Sequence, residues 1–296
     1  MISKPAGPVP AWTLALGAVF SVQLAAALSV DLIAAVGPAG TAWLRLTAGA
    51  VILLAVARPP LREIRRADVP GLLALGIASG LMGIAFLAAI ERIPLGTAVA
   101  IEFLGPLTVA AARGHTRRAL LWPATALVGV VLLTEPWSGS VDGVGVAWAI
   151  GAGIGWATYI LLTQRVGDRY SGIKGLTITV PIAALTTAFV GIPQASGNLT
   201  VTIVAASVGL ALMFPVLTFT LEMAALRRMT HTAFGTLMAL EPAAGVLFGL
   251  VVLQQNPAII QIVGVVLVIL AGAAAQYGGS RTPPHRTKGT QPNTLS

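Results

Sequence analysis

Five ionisable side chains stand inside otherwise apolar runs of this chain: Asp31, Arg45, Glu102, Glu222 and Glu241. In a membrane-spanning helix each would cost about 2.5–3.5 kcal/mol at the centre on insertion scales, so such groups face a cavity or a partner. Glu102 and Glu241 each have a proline close behind, in Glu102-Phe-Leu-Gly-Pro106 and in Glu241-Pro242. Proline has no N–H and frees a carbonyl one turn earlier in a helix. Within a bilayer a freed carbonyl needs a cavity or neighbouring protein. Each carboxylate therefore belongs beside a helix irregularity. As a pair lining a pathway, the two would exchange protons or bind an ammonium group. The competing reading is two protonated carboxyls that only hydrogen-bond neighbouring helices.

The other candidates carry plainer alternatives. Arg45 offers a planar fork suited to a carboxylate, including that of an amino acid. Asp31 lies at similar depth, and a hairpin of the two flanking runs would join Asp31 and Arg45 as an ion pair. Glu222 either lines an inner vestibule or reaches to the interface. Trp156 and Tyr159, three apart on one helical face, either pack against a substrate stem or serve as core and interfacial aromatics. His115 and His231 fall at cytoplasmic helix ends, where histidine usually caps in solvent; the alternative is a role in proton transfer. Asn198-Leu-Thr200 matches a glycosylation sequon, a weak signal on its own.

The elements that must position these groups follow from composition. Of 296 residues, 56% are hydrophobic and 9% are charged, against about 25% charged in soluble domains. So little charge cannot cover a globular surface, and so apolar a chain cannot remain disordered. With no cysteine there is no disulfide framework or thiolate metal site. No zinc-protease motif, nucleophile elbow or phosphate-binding loop occurs, so no enzyme, cofactor or nucleotide-driven pump is indicated. A span needs roughly 20 apolar residues. Ten candidates follow: 12–36, 41–57, 72–90, 95–112, 119–134, 144–162, 175–191, 201–226, 232–253 and 258–277. The expected fold is an all-α membrane protein of ten helices. The runs lack the alternation of barrel strands.

Alternate connections share the basic residues unequally. One set holds Lys4; Arg58, Arg62, Arg65 and Arg66; Arg113, Arg117 and Arg118; Arg165, Arg169 and Lys174; Arg227 and Arg228; and Arg281, Arg286 and Lys288. The other set holds only Arg92. By the positive-inside rule both termini face the cytoplasm. The formal charge of +8 is thereby explained by topology, not by nucleic acid. A shift of 136 places Trp12 on Trp148, Gly17 on Gly153, Thr41 on Thr177, Arg92 on Arg228 and Pro106 on Pro242. A shift of 135 places Leu127–Leu133 on Ile262–Val268. Five spans per half make the second half enter the membrane in the opposite sense. Such inverted repeats, with a midplane site at their interface, are typical of secondary transporters. The expected divisions are 1–138, 139–279 and a disordered basic tail, 280–296.

Longer motifs then resemble a known family. Glu91-Arg-Ile-Pro-Leu-Gly-Thr-Ala-Val-Ala-Ile-Glu-Phe-Leu-Gly-Pro106 resembles the fourth span of the threonine/homoserine exporters, in the EamA branch of the drug/metabolite transporter superfamily. The stretch from Leu221 to Pro242 resembles their spans eight and nine, Gly155–Leu161 with Gln164-Arg165 their span six, and Leu44-Arg-Leu46 the start of their span two. The resemblance runs from Trp12 to Tyr277. It implies a bacterial inner-membrane carrier that exports small amino acids in exchange for protons by alternating access. Carried over, Glu102, Glu241, Arg45, Glu222, Trp156 and Tyr159 would bind substrate or couple protons. The alternative is a carrier for a different drug or metabolite. Partners are thus a small molecule, protons and lipid, with oligomeric state open. The chain departs from the family pattern at Leu253-Gln-Gln-Asn-Pro257, where many members have a Gly-Glu pair, and at Phe214-Pro-Val-Leu-Thr218, where members have an aromatic after the proline.

Overall fold

The computed structural model describes residues 9–59, 62, 64–113, 120–138, 142–166 and 173–278. Among these there is no strand. The helices are α1 (Ala11–Val56), α2 (Val69–Ile90), α3 (Leu95–Glu102), α4 (Leu104–Arg113), α5 (Leu121–Thr134), α6 (Gly143–Val166), α7 (Ile173–Ala195), α8 (Val201–Ala211), α9 (Thr218–Leu226), α10 (His231–Met238), α11 (Glu241–Val251) and α12 (Ile259–Gly278). Seven segments are long and apolar enough to cross a membrane. Helix is the form dictated for such runs, because it satisfies every backbone group within the segment. That number differs from ten. The expected runs 12–36 and 41–57 are joined through a kink at Gly37 and count together as α1, 46 residues, while the 14 residues of α5 and the stretch Ile259–Ala275 fall short of that length. The tail 280–296, Lys4, His115, Arg117, Arg118 and Arg169 lie outside the described residues, as does the side chain of His231.

At 1.5 Å per residue α1 would run to about 70 Å if straight, over twice the hydrocarbon thickness. It folds back instead at Gly37, whose φ of 72° and ψ of 168° leave the helical region. The two arms, 11–36 and 38–56, pack as a hairpin. Arg45 Nη1 donates to Ser29 Oγ at 3.0 Å although the two residues are 16 apart in sequence. Gln194 Oε1 accepts from the N–H groups of Ala39 and Gly40 at 2.8 and 3.0 Å, capping the second arm. The Asn198 side chain donates to the Ala35 carbonyl at 3.0 Å and closes the first arm. The sequon asparagine is therefore a structural capping group. A Cβ at Gly37 would need a left-handed backbone and would overlap the Gln194 side chain. Gly37→Ala is expected to lower stability by about 1–3 kcal/mol, read as a lower unfolding temperature in detergent. Gln194→Leu, which leaves two donors unmet, should lower it less.

A second tie at the Gly37 end joins Arg92 and Asp142, with Arg92 Nη1 and Asp142 Oδ2 at 3.1 Å. Asp142 Oδ1 also accepts from Val144 and Gly145 N–H at 2.9 and 3.0 Å, capping α6. The Gly145 N–H, with Arg92 and the Val144 N–H, holds this carboxyl below the ordinary aspartate value and outweighs its desolvation. A depressed pKa in the folded state means stability that is present at neutral pH and lost as pH falls through the carboxylate range. Asp142→Ala should therefore unfold at lower temperature than the parent at pH 7, with the gap closing towards pH 3. A gap that stays constant down to pH 3 would show that the carboxylate charge contributes nothing.

The main core gathers around α3: Leu95, Ala98, Val99 and Ile101 pack with Leu87 of α2, Ala126 of α5, Ala149 of α6 and Val268 of α12. The Leu95 N–H, at the start of α3, is accepted by Gln255 Oε1 at 3.1 Å. The segment where this chain departs from the family pattern thus holds the helix that carries Glu102. Between α8 and α9 a π-helical turn, Leu212–Leu217, contains Phe214 at φ −140° and ψ 120°. Pro215 withholds a donor there, and the Met213 carbonyl is met by Ser21 Oγ at 3.0 Å and Thr218 Oγ1 at 2.9 Å.

Candidate functional site

Glu102 is the last residue of α3, and α4 begins only at Leu104. Pro106 is four residues on and cannot donate to the Glu102 carbonyl, so the helix yields where the carboxylate stands. Glu241 opens α11 after α10 has ended at Met238, one turn before Pro242. Both glutamates are buried, 9% and 7% exposed, which decides against a lipid-interface position for either. Among the described residues neither forms an ion pair.

The two breaks meet on one helix. A Cβ added to Gly272 of α12 would lie 2.6 Å from the Phe103 ring and 2.8 Å from Ala239 Cβ. Phe103 and Ala239 are 136 apart, the repeat offset. On its other side Phe103 meets Trp156 of α6 edge-on, with ring centroids 6.0 Å apart. α6 can come this close because Gly105 of α4 rests on the backbone of Gly153. Trp156 is therefore a partly buried wall beside the Glu102 break.

Glu222 and Tyr159 are half-buried. Tyr159 stands on α6 and Glu222 on α9. Glu102 on α3 and Glu241 on α11 stand on helices that pack on each other, while Glu222 stands on α9, which packs on α1 and α10. No group of three or more His, Cys, Asp and Glu able to hold a metal occurs among the described residues.

Arg45 does not pair with Asp31. Its guanidinium bonds Ser29 and sits 5.1 Å from the Phe214 ring centroid, whereas Asp31 is exposed. The reason is helical phase. Residues two apart on a helix point about 200° from each other, so the face that presents Ser29 to Arg45 turns Asp31 away. Asp31 instead edges a groove of about 510 Å³ between α1 and α8, with Leu28, Leu32, Thr202, Ile203 and Met213. Sequence reasoning missed Ser29, Thr41, Gln23 and the role of Phe214. Ser29 and Thr41 are fully buried and Gln23 nearly so. The only local signal was that Gln23 interrupts an apolar run.

Comparison with known proteins follows the same lines. The sequence profile described as the EamA-like transporter family matches residues 143–274. The threonine/homoserine exporter RhtA of Escherichia coli K12 is 35% identical over 287 residues, covering 95% of each chain. The protein of that name from Salmonella typhimurium SL1344 is 34% identical over 282 residues, covering 93% of this chain and 95% of its own.

Proposed function

This chain belongs to the EamA-like transporter family, and from that premise we propose that it exports small amino acids of the threonine and homoserine type in exchange for protons. It is a multi-pass protein of the bacterial inner membrane and makes or breaks no covalent bond in its cargo. The observation that carries the mechanism is the pair Glu102 and Glu241, each buried at a break in its helix. An unpaired carboxylate is costly to bury. It is neutralised by a proton or matched by a cation, so a proton and a cargo ammonium compete for the same oxygens. Protons entering from outside displace the cargo, and cargo entering from the cytoplasm displaces the protons. Glu222, on the cytoplasmic side of Glu241, is the inner relay, with Tyr159 beside it. Trp156 walls the path, and Arg45 supplies its positive end.

The frame is two inverted five-helix repeats, 1–138 and 139–279, giving ten spans with both termini in the cytoplasm. Matching sets of contacts support this. α2 packs on α6 as the first arm of α1 packs on α8 and α9, and those partners correspond under the 136 shift. α3 packs on α11, and α5 on α12. Gly129 and Gly264, equivalent under the 135 shift, meet backbone to backbone. The family profile also matches a stretch lying within the second repeat. Alternating access follows by rocking of one repeat against the other.

The test is reconstitution. Liposomes bearing the protein and loaded with labelled threonine should release it against a concentration gradient when the outside is acid and not when the gradient is reversed. Movement indifferent to pH would remove the antiport. No movement of threonine or homoserine, from folded and inserted protein, would reassign the cargo to another metabolite.

A further inference from the structure

We propose that Arg45, Ser29, Thr41 and Phe214 form a subsite for the carboxylate group of the cargo, so that the transporter reads its substrate as a zwitterion. The inference rests on the amino-acid reading above and gives one end of that molecule its address.

Arg45 is 6% exposed. A guanidinium has five N–H donors, and the contact resolved for this one is with Ser29 Oγ at 3.0 Å. Its Nε is buried and meets no acceptor among the described residues. Ser29 has no freedom to turn away, because its own hydroxyl donates to the Ala25 carbonyl at 2.6 Å. Ser29 thus aims the fork. Thr41 lies one turn from Arg45 on the same helical face; it is fully buried and its Oγ1 also meets no partner among the described residues. Phe214 covers the guanidinium plane at 5.1 Å. It reaches there because its backbone leaves helical geometry at the α8–α9 break.

A buried cation with donors unspent is an expensive object unless an anion completes it. Among the described residues none supplies that anion, since Asp31 is turned outward and no ion pair forms there at Arg45. The planar fork matches two oxygens of one carboxylate, and the Thr41 hydroxyl adds a third donor. One cation balances one negative charge, which fits a monocarboxylate. On the function proposed above, the ammonium is matched by the buried glutamates. A molecule with both handles and a short side chain is an α-amino acid.

Displacement of labelled threonine from the full-length reconstituted protein tests this, using threonine and 1-amino-2-propanol, its carboxylate-free counterpart, as competitors. Threonine should win by about ten- to a hundredfold, the worth of a charge-assisted pair of hydrogen bonds. Arg45→Gln should bring that ratio close to one, Arg45→Lys should restore part of it, and Ser29→Ala should reduce it several-fold. A ratio preserved in Arg45→Gln, or a loss shared equally by acid and amine, overturns the subsite. Should Arg45→Gln fail to fold, Ser29→Ala decides on the same criterion. If the parent binds no threonine, thermal stabilisation by lactate against lactamide separates the claims. Arg45-dependent stabilisation by the acid keeps the subsite and discards the amino-acid cargo, and its absence overturns the subsite.

Discussion

Glu241→Gln is expected to abolish proton-driven release of threonine while leaving a folded, inserted protein. Glutamine matches glutamate in shape but cannot gain or lose a proton in this range. Glu241 is buried at the start of α11, which packs on the helix that ends at Glu102, so a neutral amide there removes one of the two buried groups proposed to carry the proton. Gradient-driven flux should fall by about a hundredfold or more, the order lost with a proton-transferring group. Exchange of labelled for unlabelled threonine without a gradient should lose its pH dependence as well. The unfolding temperature should change little, because the buried amide replaces a carboxyl that forms no ion pair among the described residues. Undiminished sensitivity to the gradient would remove Glu241 from the coupling and leave Glu102 to act with Glu222. Glu222→Gln should slow exchange without uncoupling it.

The second large effect belongs to a glycine. Gly105→Ala should destabilise the bundle by about 1–3 kcal/mol, the range for overpacking a filled contact. The added methyl would meet the carbonyl of Gly153, and backbone cannot swing aside as a side chain can. In the reverse direction a Cβ on Gly153 would lie 3.0 Å from the Glu102 carbonyl oxygen. α4 and α6 therefore touch backbone to backbone beside the candidate site. Relief must come from separating them, which moves Glu102 and Trp156 together. Gly105→Ala should lower both unfolding temperature and transport. Gly83→Ala is the control: nothing lies within 4 Å of a Cβ there, and alanine gains up to about 1 kcal/mol of helix propensity. Equal stability of the two variants would mean that the close approach has no energetic weight.

The sequence by itself determined that the chain is helical and apolar enough to cross a membrane several times, and it marked the helix breaks beside Glu102 and Glu241. The reason is that these are local or periodic properties. A run such as 72–90 can satisfy its backbone in lipid only as a helix, and Pro106 and Pro242 unsettle their helices wherever these pack. The family motifs around Glu102 and Glu241 were legible for the same reason, being contiguous. The tertiary structure decided what depends on distance and phase. Arg45 chose Ser29 over Asp31 because two residues on one helix face opposite ways, and composition carries no record of which face turns inward. Gln194 caps the second arm of α1 from 155 positions away. Phe214 covers Arg45 from another helix, after a break whose direction no local pattern sets. Glu102 and Glu241 become neighbours only when α3 packs on α11, because such packing is set through space and not along the chain.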